Sequence, residues 1–299
     1  MTWKRVATAL VLIPVVVGLV LFTPTWAVAV ATAVITVLAL WEYFALGEAI
    51  GHRAFRFLTA GCSLLLIYVQ WRVLQPFARF TLTAVSSKGF VQPGFASSGL
   101  TKLSVMYSSG SIFFVFVLGL MVLILWTRRP LVEALPAAGI SSSALLLVAF
   151  PLSYAVRLHG FADDGPRLLL FALVITWAGD TAAYFVGRAM GKHPLAPHIS
   201  PKKTWEGSIG SMVGSLIVAW AFSYWIRIPI GHLVAMAVIG NVAGQMGDLL
   251  ESAYKRSAGV KDSGGLLPGH GGVLDRIDAL ILCIPVIWFY LVVVNPVRN

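Results

Sequence analysis

Residues 277–295 read IDALILCIPVIWFYLVVVN, with Asp278 as the single charged side chain. A run this long and apolar can cross about 30 Å of hydrocarbon as one helix. Working outward, comparable runs lie at 6–22, 26–46, 57–75, 111–127, 138–156, 167–186, 208–226 and 230–247. No period-two alternation of a membrane β-barrel is visible. Composition agrees: 58% of the 299 residues are hydrophobic and 11% are charged, against roughly 25% charged in a soluble domain. Mean hydropathy is +0.86. A soluble fold cannot bury so much apolar surface at this mass. A soluble enzyme, a disordered chain and a secreted disulfide scaffold are therefore excluded. The expected fold is an all-α polytopic membrane protein with about nine transmembrane helices. The first run, after Lys4 and Arg5, is longer than the apolar core of a typical signal peptide and a second span follows at once, so it is read as retained. Cys62 and Cys283 each sit inside an apolar run and read as packing residues.

The net charge is +10, from 22 Lys+Arg against 12 Asp+Glu. In a soluble protein this would point to nucleic acid. Here lysine and arginine in loops set membrane orientation and meet anionic lipid, and no nucleic-acid partner is expected. With the N-terminus in the cytoplasm and nine alternating spans, the cytoplasmic segments hold 14 of the 22 cations. These are Lys4, Arg5, Arg53, Arg56, Arg128, Arg129, Arg188, Lys192, Lys202, Lys203, Lys255, Arg256, Lys261 and Arg276. The outer segments hold Arg79, Lys88, Lys102, Arg157, Arg167, Arg227 and Arg298, and Arg72 lies within a span. This bias predicts N-in, C-out. The stretch 76–110, rich in Ser, Gly and Thr, is expected to be an outer loop without catalytic residues.

The acidic residues are unevenly spread. Asp180, Glu206, Asp248, Glu251, Asp262, Asp275 and Asp278 all lie between 180 and 278. The chain thus divides into an N-terminal transmembrane scaffold, 1–165, and a C-terminal catalytic transmembrane region, 166–299. The latter has two cytoplasmic loops, 187–207 (GRAMGKHPLAPHISPKKTWEG) and 248–276 (DLLESAYKRSAGVKDSGGLLPGHGGVLDR). No internal repeat is evident, which disfavours an inverted-repeat transporter. Gly264, Gly265, Gly269, Gly271 and Gly272 let backbone N–H groups approach an anion. Lys202, Lys203, Lys255, Arg256, Lys261 and Arg276 supply cations, while Asp248, Asp275 and Asp278 supply hard oxygen ligands for Mg²⁺. Cations and carboxylates together around Gly-rich turns suit a metal–polyphosphate substrate.

Asp248 closes one apolar run and Asp275 opens the next, so their connecting loop can bring them together at the membrane face. Asp275 and Asp278, spaced i, i+3, share a helical face. The alternative is that they cap that helix and pair with Arg276 or Lys261. Asp180, in WAGDTAAYFVGR, is costly to bury; it either pairs with Arg188, binds metal or receives a substrate hydroxyl. Lys202 and Lys203 form either a solvated charge pair or part of a structured turn beside Trp205 and Glu206. His270, between Gly269 and Gly271, is a phosphate contact, a proton donor or a structural hydrogen-bonding group.

The segment Ser252 to Asp278, SAYKRSAGVKDSGGLLPGHGGVLDRID, resembles the signature of the CDP-diacylglycerol synthase (phosphatidate cytidylyltransferase) family. The match comprises Ser-x-apolar-Lys-Arg, then Lys-Asp, a Gly-His-Gly-Gly turn after Pro268, and Asp-Arg-x-Asp. Tyr254 stands where the family usually has an aliphatic residue or Phe. DTAAYFVGR and ISPKKTWEG resemble upstream family elements, so the likeness is close over about 175–280 and elsewhere only that of a hydrophobic scaffold.

This resemblance implies an enzyme making CDP-diacylglycerol and pyrophosphate from CTP and phosphatidate, in the lipid bilayer. It implies Mg²⁺ held by Asp248 and Asp275, and it leaves room for a second cation such as K⁺. Ser252, Lys255, Arg256, His270 and Asp278 match positions needed for activity. Lys202 and Lys203, Lys261, Arg276 and Asp180 are expected to bind substrate. The expected location is the cytoplasmic (inner) membrane of a prokaryote, with the site facing the cytosol; a homodimer is compatible with the sequence. A CDP-alcohol phosphotransferase would need a clustered Asp-Gly-x-x-Ala-Arg array, which is absent. A transporter would gather its polar residues near mid-membrane rather than in two loops on one side.

Overall fold

In hydrocarbon the backbone has no water to bond, so each apolar run must satisfy its own N–H and C=O groups as a helix. The computed structural model describes residues 2–85, 109–127, 130–266 and 271–294. Its helices are α1 (Thr2–Phe22), α2 (Thr25–Ala49), α3 (Arg56–Val85), α4 (Ser109–Trp126), α5 (Leu131–His159), α6 (Gly165–Met190), α7 (Trp205–Phe222), α8 (Ile230–Ser257) and α9 (Leu274–Val294). Within α5 the first turn is 3₁₀ and Leu145–Ala149 is a π segment. Among the described residues six helices, α2, α4, α5, α6, α8 and α9, are long and apolar enough to cross a membrane. The architecture is that of an all-α polytopic membrane protein with one short β-hairpin. The expected runs at 6–22, 57–75 and 208–226 coincide with α1, α3 and α7, which stand outside that count.

Three boundaries differ from the sequence expectation. Helix α3 runs on to Val85, so the first part of the stretch 76–110 is helical; 86–108 lie outside the described residues. Helix α8 continues through Ser257, so residues 248–257 of the expected loop 248–276 are helix. The reason is side-chain pairing at i, i+4, Asp248 with Ser252 and Glu251 with Lys255. The helix stops at Gly259, whose φ of +69° suits a left-handed C-cap. The expected loop 187–207 is mostly structured: α6 extends to Met190, and β1 (Pro194–Ala196) pairs antiparallel with β2 (Ser200–Thr204). Thr204 then caps α7, its Oγ1 accepting from Gly207 N–H at 3.2 Å.

The main hydrophobic core draws on both halves of the chain. Leu40 and Phe44 of α2 join Leu158 of α5, Phe171 of α6, Met236 of α8 and Ile284 of α9, each essentially without exposed surface. A second core joins α3, α4 and α5 through Leu66, Phe116 and Leu145. Cys62 and Cys283 are buried and free. Small residues let the C-terminal helices approach closely. At Gly210 of α7 an added Cβ would lie 2.7 Å from Val186 of α6. At Gly247 of α8 it would run into the Asp278 carbonyl oxygen of α9. That contact sets Asp248, one residue along, beside the start of α9. A Gly247→Val substitution is expected to force α8 and α9 apart. Overpacking of this kind costs about 1–3 kcal/mol or more, read as a lowered midpoint of thermal unfolding in detergent.

Candidate active site

Where α6 and α8 meet the β-hairpin, the protein forms an open cavity of about 610 Å³. That volume falls in the range of small-molecule sites. Asp180 and Arg188 of α6, Lys202 and Lys203 of β2, and Asp248 of α8 supply its charges. Lys203 Nζ stands 2.5 Å from Asp248 Oδ2, and Ser252 Oγ approaches Asp248 Oδ1 at 3.5 Å. Arg188 does not reach Asp180; it donates to the Tyr184 hydroxyl at 3.0 Å.

The cavity floor is neutral and polar. Gln245 accepts from Ser208 Oγ at 2.5 Å and donates to Asn241 Oδ1 at 2.6 Å; Asn241 donates to Ser211 and Ser215, each at 2.8 Å. The hairpin is pinned by Glu206. The His193 ring contacts Glu206 Oε1 at 2.6 Å, and the N–H groups of Lys192 and His193 donate to Oε2 at 3.1 and 3.3 Å. These contacts, the His193 ring first, hold the Glu206 carboxyl down at about 2.

A second charged group lies at the end of α8 and the start of α9. Lys255 is buried between Glu251, one turn back, and Asp275 Oδ1 at 2.6 Å. Asp275 also accepts from Gly272 N–H at 2.8 Å and Ser263 N–H at 3.1 Å, both on Oδ2. Asp275 is thus paired with Lys255, and the N–H groups it accepts from belong to the turn before α9 rather than to the helix it was expected to cap. Asp278 lies between the two groups: its carboxylate is repelled by Asp248, Glu251 and Asp180, and it accepts from its neighbour Ala279 N–H at 2.7 Å. Asp180 in turn senses Asp248, Lys203 and Arg276.

The cavity therefore gathers Asp180, Lys202, Lys203 and Asp248, with Ser252 behind Asp248. Lys255 and Asp275 form the neighbouring cluster, and Asp278 is near enough to feel the charges of both Asp248 and Glu251. Arg256 is exposed and turned to backbone, donating to the carbonyls of Ile199 at 3.4 Å and Val260 at 3.1 Å. Lys261 and Arg276 are exposed. His270 lies outside the described residues. Asp248 and Asp275 have separate partners, and among the described residues no group of three or more His, Cys, Asp or Glu stands ready for a metal. Mg²⁺ needs only one or two carboxylates when substrate phosphates supply the remaining oxygens. Hard carboxylates facing a cation-lined cavity fit that chemistry.

A family model described as Cytidylyltransferase family matches residues 3–294. The chain belongs to that family. It is 44% identical over 148 residues to the phosphatidate cytidylyltransferase of Staphylococcus haemolyticus, covering 49% of this chain and 55% of that protein. It is 38% identical over 175 residues to the phosphatidate cytidylyltransferase of Bacillus subtilis, covering 57% and 65%. The corresponding protein of Haemophilus influenzae is 41% identical over 169 residues, covering 54% and 57%. The chain therefore spans between about half and two thirds of the length of the curated relatives it matches.

Sequence reasoning did not single out Gln245, Ser208 and Ser211 on the cavity floor. The available signal was a hydrogen-bonding side chain inside an apolar run. It counted Glu251 among the acidic residues but gave it no role; the structure makes it the second carboxylate on Lys255. Removing the cation of a buried pair leaves its carboxylates uncompensated, at about 3–5 kcal/mol. Lys255→Met is therefore expected to lower the thermal unfolding midpoint sharply. Lys255→Met combined with Glu251→Gln should regain part of the loss, because one of the two stranded charges is then gone.

Proposed function

We propose that this chain transfers the cytidylyl group of CTP to phosphatidate, forming CDP-diacylglycerol and pyrophosphate at the cytoplasmic rim of a bacterial inner membrane. The observation that carries the reading is the cavity at the end of the signature helix α8, where Asp248, Lys203 and Asp180 converge, in a member of the cytidylyltransferase family. The names of the bacterial relatives support the substrates. Nine spans with the N-terminus inside remain the proposed topology. It is supported by the bias of lysine and arginine toward one set of segments, and it puts the cavity in the cytosol.

In the proposed reaction a phosphate oxygen of phosphatidate forms a bond to the α-phosphorus of CTP. The bond from that phosphorus to the bridging oxygen breaks, and pyrophosphate leaves with the electron pair. A phosphomonoester has a second pKa of about 6, so the attacking oxygen is already anionic and needs no strong base. The work left to the protein is bringing two anions together and holding them in line. Lys202 and Lys203 on the hairpin receive the triphosphate from the water side. Arg188 takes up phosphate charge beside them, Lys255 holds Asp275 in place from within its cluster, and Arg256, Lys261 and Arg276 add positive potential at the rim. Asp248 and Asp275 would hold Mg²⁺, which when bound neutralises phosphate charge and the developing charge on pyrophosphate. The neutral floor of Ser208, Ser211 and Gln245 offers donors and acceptors to uncharged parts of a substrate. Tyr184, exposed and part of the cavity wall, with exposed Trp205 and Ile209 on α7, supports lateral access for lipid tails.

The test is incorporation of labelled CTP into chloroform-soluble product by the purified protein, with pyrophosphate release that requires phosphatidate. Asp248→Asn and Asp275→Asn are each expected to lower turnover by about 100-fold or more, the scale of losing one electrostatic stabiliser. Wild-type turnover in both variants would remove the metal assignment. Solute uptake without nucleotide turnover would favour a transporter.

A further inference from the structure

Glu42 lies in the last third of α2, within the apolar stretch ALWEYFAL, far in sequence from every residue of the site. It is buried, with 8% of its surface exposed, and among the described residues no lysine or arginine pairs with it. A carboxylate in such a place must find donors or lose its charge. Glu42 finds three in the Gly-rich turn and the start of α9. Its Oε1 accepts from Val273 N–H at 2.9 Å; its Oε2 accepts from Leu274 N–H at 2.8 Å and from Ser263 Oγ at 2.9 Å. Val273 and Leu274 bring two of the N–H groups that a helix start leaves without partners, and the positive end of the α9 dipole faces the carboxylate.

The glycines of the turn are spaced around this contact. A Cβ on Gly264 would lie 2.6 Å from Glu42 Oε1, and one on Gly272 would overlap Oε2. At both positions the anion that the bare backbone admits is an internal carboxylate. The adjacent Gly271, at φ +79°, turns the chain so that Gly272 N–H meets Asp275. Two carboxylates thus grip one turn from opposite sides: Glu42 holds Val273, Leu274 and Ser263 Oγ, while Asp275 holds Gly272 and Ser263 N–H.

We propose that Glu42 is a positioning residue for the transfer reaction. It anchors the first turn of α9, and so fixes where Asp275 and Asp278 stand relative to Asp248 on α8. This rests on the function proposed above. Glu42 touches no substrate and acts through the turn. A glutamine has the same shape but a single acceptor oxygen, so at least one of the Val273 and Leu274 N–H groups would face an amide NH₂ instead.

The experiment is hydrogen–deuterium exchange of the detergent-purified chain, free of metal and nucleotide, with turnover measured in parallel. In Glu42→Gln, exchange in peptides covering 263–276 is expected to rise by at least about tenfold, the scale of losing one charge-assisted hydrogen bond. Peptides from α6 and α7 should be unchanged, and turnover should fall with KM for CTP little altered. Unchanged exchange over 263–276, or wild-type turnover, would overturn the proposal. Should Glu42→Gln fail to fold, Ser263→Ala decides: it removes one donor to Glu42 and keeps the carboxylate. A smaller rise confined to the same peptides supports the anchor; no rise there refutes it. Wild-type protein that makes no CDP-diacylglycerol would sink the proposed function, while the exchange result would still judge the anchor.

Discussion

A buried cation between two carboxylates holds the end of α8 to the start of α9. Lys255 contacts Glu251 on its own helix and Asp275 on the next. Taking three charges out of water costs several kcal/mol per ion unless geometry and further hydrogen bonds offset it. Here the further bonds are visible: Asp275 also accepts from Gly272 and Ser263 N–H. The ion cluster therefore organises backbone as well as side chains. Through Asp275 it holds the turn, through the turn it meets Glu42, and through Glu42 it reaches the N-terminal half. The Gly247 contact with α9 completes the frame by letting the two helix backbones approach closely at this crossing.

The apolar runs were legible because their physics is local. About twenty apolar residues in sequence suffice to specify a membrane-length helix, and the described helices follow. Helix ends were less legible where polar residues continue the helix. The sequence DLLESAYKRS reads as a loop when polarity is the criterion, yet its i, i+4 pairs carry α8 on to Ser257. The site divides in the same way. Asp180, Lys203 and Asp248 announced themselves as charges near an apolar boundary, and the cavity collects them. Glu42 and Gln245 did not: Glu42 is a lone charged residue in an apolar run whose partners lie elsewhere in the chain, and Gln245 meets Asn241 on its own helix but Ser208 only across on α7. Ser263 and Leu274 are more than two hundred residues from Glu42; no spacing rule connects them. The glycines were read as making room for a substrate anion. At Gly264 and Gly272 the anion is Glu42, an ambiguity that spacing alone cannot resolve.

The division of charge between the cavity and the neighbouring cluster bears on the proposed chemistry. In the cavity, Lys203 is paired to Asp248 from a different element, β2 against α8, and both face open volume. Such a pair is exchangeable: a nucleotide phosphate can take the lysine and a divalent cation can take the carboxylate without either losing a partner. In the cluster, Lys255 is enclosed and doubly paired. Any charge drawn from it must be returned by a ligand of the same sign. An active site for two anions needs both kinds of place. In the proposed reaction the open pair is the place that admits substrate, and the closed cluster the one that keeps the carboxylates at the α8–α9 crossing fixed.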